Sequence, residues 1–176
     1  MGKRTPEVAV IMGSVSDSEI VSHCTEQLKT LGVSFELKVL SAHRTPKELD
    51  QYIAEADAKG IKVFIAAAGM SAALAGTIAA RTIKPVIGIA IPSGPLAGID
   101  ALLSTVQMPP GVPVGCTGIG KAGAINAAIL AAEILSAHDA DLAKRLIKHR
   151  NEKAKAILKA NKTRQQSNSS SRRKVK

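Results

Sequence analysis

Residues 62–91 read KVFIAAAGMSAALAGTIAARTIKPVIGIAI. Two short apolar runs, KVFIAAA (62–68) and PVIGIAI (85–91), read as strands, and AALAGTIAARTI (72–83) between them reads as a helix. Both strands stay apolar along their length instead of alternating. Such strands are buried on both faces, as in a parallel sheet covered by helices. The fold then depends on whether the rest of the chain repeats this unit.

It does. EVAVIM (7–12) and FELKVL (35–40) are further strands, and VPVGCTG (112–118) reads as a fifth. Between them, Ser16 to Leu31 carries a helical stripe of Ile20, Val21, Cys24, Leu28 and Leu31. KELDQYIAEADAKG (47–60) is a helix closed by Gly60, and LAGIDALLSTV (96–106) is a short one. AGAINAAILAAEIL (122–135) is an Ala-rich helix, and an amphipathic helix runs from about 139 to 160. Right-handed crossovers turn this alternation into a three-layer α/β/α sandwich. Periodicity does not give the strand order.

Residues 1–160 are expected to form one catalytic α/β domain, including the last helix. The remaining 161–176 are basic and Ser-rich, poor in apolar residues, and are expected to be disordered. The helix at 122–135 is apolar nearly all round, which predicts burial by more than its own sheet, hence by other subunits. The stripe Leu142, Leu146, Ile147, Ile157, Leu158 on the last helix likewise predicts packing on a neighbour.

The net charge of +10 is unevenly placed. Of 24 Lys and Arg residues, 13 lie from Leu142 onward beside one acid, Glu152, so the body is close to neutral. A basic patch on the body is not implied, and the only aromatics, Phe35, Tyr52 and Phe64, leave little for stacking on bases. Nucleic acid is therefore not the expected partner, with the basic tail left open. Cys24 and Cys116 lie far apart without metal spacing, which fits a reducing, cytoplasmic compartment. The four histidines are scattered, so no metal site is expected. No signal peptide and no membrane-length apolar run is evident.

In an open parallel sheet, ligands bind beyond the carboxyl ends of the strands. After the first strand comes GSVSDSE, where Ser14, Ser16 and Asp17 stand at a helix start. Free N–H groups there favour an anion, while Asp17 suits sugar hydroxyls. The same residues serve equally well as caps, with Ser16 and Glu19 forming a capping box. After the second strand comes SAHRTP, 41–46. Thr45 with Glu48 predicts a capping box, and Pro46 suits the first helical turn. Those roles leave His43 and Arg44 unexplained. A guanidinium can grip a phosphate, and an imidazole can move a proton near neutral pH. The third strand leads into GMSAALAG (69–76), which is either tight packing or a pocket floor. The fourth leads by way of a short helix to QMPPGVP (107–113), which is either packing or a pocket wall.

Taken together, GSVSD, SAHRTP, LLSTVQMPPGVPVG and GKAGAINAAILAAEIL resemble the N5-carboxyaminoimidazole ribonucleotide mutases, the catalytic-subunit family of phosphoribosylaminoimidazole carboxylase. The resemblance runs from about Val8 to Arg150. It implies a flavodoxin-like sandwich with five parallel strands ordered 2-1-3-4-5, assembled as a homo-octamer. It implies conversion of a carbamate-bearing aminoimidazole ribonucleotide to the C4 carboxylate through CO2, with no cofactor and no metal. Ser14 and Arg44 would then hold the 5′-phosphate and Asp17 the ribose. Ser41, Gly69 and Ser71 would line the same pocket, and His43 would be the acid/base.

One loop departs from the family pattern. Mutases of this family usually read GGAAHLPG where this chain has GMSAALAG, so a second histidine falls on Ala73. The related class that uses free CO2 and unsubstituted aminoimidazole ribonucleotide has a GRSNALSG-like loop, of which this chain keeps the Ser but not the Arg or Asn. Direct carboxylation is therefore an alternative, and a non-catalytic phosphoribosyl-ligand binder is a third reading.

Overall fold

In a computed structural model, the protein's backbone is described over residues 5–173 and its side chains over 5–164. Five strands form one parallel sheet: β1 (Val8–Met12), β2 (Phe35–Val39), β3 (Val63–Gly69), β4 (Val86–Ile91) and β5 (Gly115–Ile119). Their order is β2-β1-β3-β4-β5, with Val8 opposite both Phe35 and Val63. The helices are α1 (Ser18–Thr30), α2 (Pro46–Lys59), α3 (Leu74–Ala79), α4 (Ile99–Val106), α5 (Gly120–Ser136) and α6 (Ala140–Arg173).

The period of two along each strand sorts the core into two faces. Val8, Val10 and Met12 pack with α1, α5 and the start of α6. Ala9 and Ile11 point the other way, into Leu49 and Ile53 of α2 and Ile78 of α3. Ala101 of α4 continues that second layer against Ala90. The central strands β1, β3 and β4 are almost wholly buried, which is why they are apolar at every position. β2 is an edge strand, and its Leu37, Lys38 and Val39 are exposed. Small side chains set the spacing. A Cβ at Gly88 would overlap the Thr105 methyl of α4, and one at Gly123 would overlap the Gly118 carbonyl.

Several expectations shift. α3 is shorter than 72–83, because residues 80–85 turn sharply into β4 instead of continuing the helix. α5 is buried by its own chain more than expected: Ala124, Ala127, Ala128, Ala131 and Ala132 lie fully inside, against the sheet and α1. Leu142 and Leu146 of the final stripe also pack within the chain, while Ile147, Ile157 and Leu158 remain exposed. α6 runs to Arg173, where disorder was expected from 161. It holds no Gly or Pro to stop it, and Lys, Arg, Gln and Ala favour helix. The rest of the tail expectation, at 174–176, lies outside the described residues. Among the described residues, no helix is long and apolar enough to cross a membrane.

Candidate active site

The chain leaves β1 for β2 on one side of the sheet and reaches β3 on the other. That reversal opens a crevice at the carboxyl ends of β1 and β3, where side chains from neighbouring loops converge. A cavity of about 630 Å3 lies there. Every residue singled out for the site lines it: Ser14 and Asp17 after β1, Ser41, His43 and Arg44 after β2, and Gly69 and Ser71 at the end of β3.

The first wall is a single 3-10 turn, Val15–Asp17, leading into α1. Ser14 caps it. The Ser16 N–H donates to the Ser14 Oγ (3.3 Å), and the Ser14 N–H donates to the Asp17 Oδ2 (3.1 Å). The capping box thus joins Ser14 and Asp17, not Ser16 and Glu19 as expected. The 3-10 turn moves the start of the helical backbone upstream. The Ser16 hydroxyl lies between the Ser14 Oγ (2.9 Å) and the Asp17 Oδ1 (3.3 Å). Burial pushes the Asp17 carboxyl above its ordinary value of 3.8. The hydrogen bonds from Ser16 and Ser14 and the Arg44 charge pull the other way.

The second wall is the SAHRTP turn. The Ser41 N–H donates to the Thr45 Oγ1 (2.8 Å), and that hydroxyl donates back to the Ser41 carbonyl (3.2 Å). Thr45 makes no side-chain cap on α2, so the expected Thr45–Glu48 capping box does not form. Its hydroxyl closes the turn instead, while Pro46 does open the helix. The Ser41 Oγ accepts from the Arg44 N–H (3.2 Å). The Arg44 Nη2 donates to the Gly13 carbonyl (2.7 Å), which ties this turn to the end of β1 and sets the guanidinium beside Asp17. His43 and Arg44 are both exposed at the mouth.

The third wall is GMSAALAG. Met70 has a φ of +55°, in the left-handed region that side-chain-bearing residues rarely adopt. Its side chain is exposed and lines the cavity. Ala73 lies on the same wall and brings no titrating group.

One polar lining residue falls outside the stretches singled out in the sequence: Ser93, from the loop after β4. The signal for Ser93 is positional, a polar residue two places beyond the end of a buried strand. QMPPGVP does not reach the cavity of its own chain, since it follows α4, which runs back to the opposite end of the sheet. Its Met108 packs on Gly76.

A family model described as AIR carboxylase matches residues 7–156. The N5-carboxyaminoimidazole ribonucleotide mutase of Bacillus subtilis is 52% identical over 155 residues, covering 88% of this chain and 96% of its own length. The protein of the same name from Escherichia coli K12 is 49% identical over 139 residues, covering 79% and 82%. Among solved structures, Treponema denticola PurE superposes with a TM-score of 0.81 at 30% identity, covering 90% of this chain and 98% of that one.

Proposed function

The chain belongs to the AIR carboxylase family, and from that premise we propose that it converts N5-carboxyaminoimidazole ribonucleotide to 4-carboxy-5-aminoimidazole ribonucleotide, an isomerase step of purine biosynthesis. The observation that carries this reading is one cleft in which a guanidinium, serine hydroxyls at a helix start, a carboxyl group and an imidazole meet. Arg44 and Ser14 hold the 5′-phosphate, where the helix start adds N–H groups and a favourable dipole. Asp17, which cannot attract phosphate by charge, accepts from the ribose hydroxyls. Ser41, Gly69 and Ser71 line the ring end.

The chemistry needs one proton donor that becomes an acceptor. Protonated His43 gives its proton to the exocyclic nitrogen as the N–C bond to the carboxyl group breaks, releasing CO2 and the neutral amine. The electron-rich C4 then attacks that CO2 and forms the new C–C bond. Neutral His43 removes the C4 proton, the ring regains its aromaticity, and the imidazole returns to its starting state. An imidazole suits both half-steps near neutral pH. Trapping the CO2 beside C4 supplies effective concentration, so no ATP is consumed.

The cleft of one chain is open, and His43 is exposed at its mouth. We assign the closing wall to neighbouring copies in a homo-octamer. What supports this is the apolar surface left uncovered: Leu96, Ile99, Leu103 and Val106 around α4, and Ile157 and Leu158 on α6, are each about half exposed or more.

A second reading has its own observation. Ala73 stands where the mutases of the family carry a histidine, and Ser71 is shared with the class that uses free CO2. Direct carboxylation of aminoimidazole ribonucleotide would need only the one imidazole present. The primary reading is tested with His43→Asn, expected to bind substrate within about threefold of wild type and to lose turnover. Retained turnover would remove His43 from the chemistry.

A further inference from the structure

We propose that Ser93 is a substrate-contacting residue, its hydroxyl donating to the carboxylate carried by the imidazole ring. This rests on the functional reading above and extends it to a residue outside the motifs that support that reading.

Ser93 lies two residues beyond the end of β4, half-buried, and lines the same cleft as His43 and Arg44. Its backbone is fixed, since its N–H donates to the Ile91 carbonyl (2.9 Å) in a tight turn. Its side chain is fixed from below, since a Cβ at Gly69 would overlap the Ser93 hydroxyl. The glycine that ends β3 therefore leaves the space this hydroxyl occupies. Met70 covers the loop from the side, with its Cγ 3.7 Å from where a Cβ of Gly94 would stand. Position and rotamer are thus constrained, yet the hydroxyl has no protein hydrogen-bond partner among the described residues. A hydroxyl in an open cleft without such a partner is available to a ligand.

Spacing decides which part of the ligand it meets. The phosphate-binding groups, Ser14 and Arg44, follow β1 and β2. Ser93 follows β4, two strands beyond β1. Two strand separations amount to roughly 10 Å, comparable with the reach of a nucleoside monophosphate from phosphorus to the far edge of its base. The far edge here is the ring carbon that carries the carboxylate. Apart from Ser71, the nearby lining is Ala68, Gly69, Met70, Ala73 and Leu74, none with a polar side chain. With Ala73 in place of an imidazole, Ser93 and Ser71 are the hydroxyls left to orient a carboxylate on that side.

The experiment is binding calorimetry with two ligands that differ only in this group: 4-carboxy-5-aminoimidazole ribonucleotide and aminoimidazole ribonucleotide. Ser93→Ala is expected to weaken the carboxylated ligand about tenfold, as for one hydrogen bond to a charged group, and the other less than twofold. Equal weakening of both ligands, or of neither, overturns this inference alone. If the wild-type chain binds neither ribonucleotide, the functional reading falls and this inference with it.

Discussion

Arg44→Ala isolates the anion-binding end of the cleft from its reacting end. In the free chain the guanidinium donates to the Gly13 carbonyl (2.7 Å) and sits beside Asp17, so it is aimed before any ligand arrives. A hydrogen bond to a charged group contributes about 1.5–3 kcal/mol, and a guanidinium can give a phosphate two. Arg44 is exposed, and solvent screening reduces the total for two such bonds to about that of one, roughly 1.5–3 kcal/mol. At about 1.4 kcal/mol per decade this is a ten- to hundredfold loss of affinity. On the placement proposed above, the phosphate would lie far from the reacting carbon and be held alike in ground and transition states. KM should therefore rise by that factor while kcat stays within about twofold. Arg44→Lys keeps the charge without the fork and should recover part of the loss. Steady-state kinetics with calorimetric binding of product measures both quantities. An unchanged KM, or a fall in kcat at constant KM, would refute the placement of the phosphate.

Three further outcomes follow from particular residues. Met70→Gly removes a left-handed strain of about 1–2 kcal/mol and adds roughly 0.5–1 kcal/mol of chain entropy cost. Denaturant unfolding should show a net gain of about 0.5–1 kcal/mol, and a loss would mean that packing on Gly94 outweighs the strain. Cys24 is fully buried and its thiol is pushed up to about 12. Mass spectrometry should find it unlabelled by iodoacetamide at pH 8 until the chain unfolds; rapid labelling of folded protein would contradict its burial. Asp17 has a raised folded-state pKa, so the native state binds its proton more tightly than the unfolded chain does. Its contribution to stability is then fullest below about pH 3.8 and declines as pH rises through its higher folded value. Asp17→Asn should gain on wild type between pH 3 and 7 in urea titrations, and the reverse trend would show the carboxylate to be net stabilised.

The layers were legible in the sequence because β1, β3 and β4 are buried on both sides and so cannot alternate. Strand order was not, since the period within a strand does not say which strands are neighbours; it came from resemblance to a family. The capping boxes were misplaced for a local reason. Ser and Thr hydroxyls satisfy whichever backbone group the turn presents, and the Ser41–Thr45 turn presented its own. QMPPGVP was weighed as a pocket wall from composition, whereas the direction of α4 puts it at the far end of the sheet. His43 and Arg44 stood out because capping left them unexplained. Ser93 did not, because the role proposed for it depends on the glycine at position 69, which only the β3–β4 pairing brings beside it.

The central claim is that CO2 is released and recaptured within one cleft. It is tested by giving the enzyme N5-carboxyaminoimidazole ribonucleotide freshly made with a 13C carboxyl group, in excess unlabelled bicarbonate and without ATP. Release and recapture within one cleft should give turnover independent of bicarbonate and, at early times, product that keeps the 13C at its C4 carboxylate. Product whose carboxylate comes from the bicarbonate pool, at a rate that rises with that pool, would contradict it.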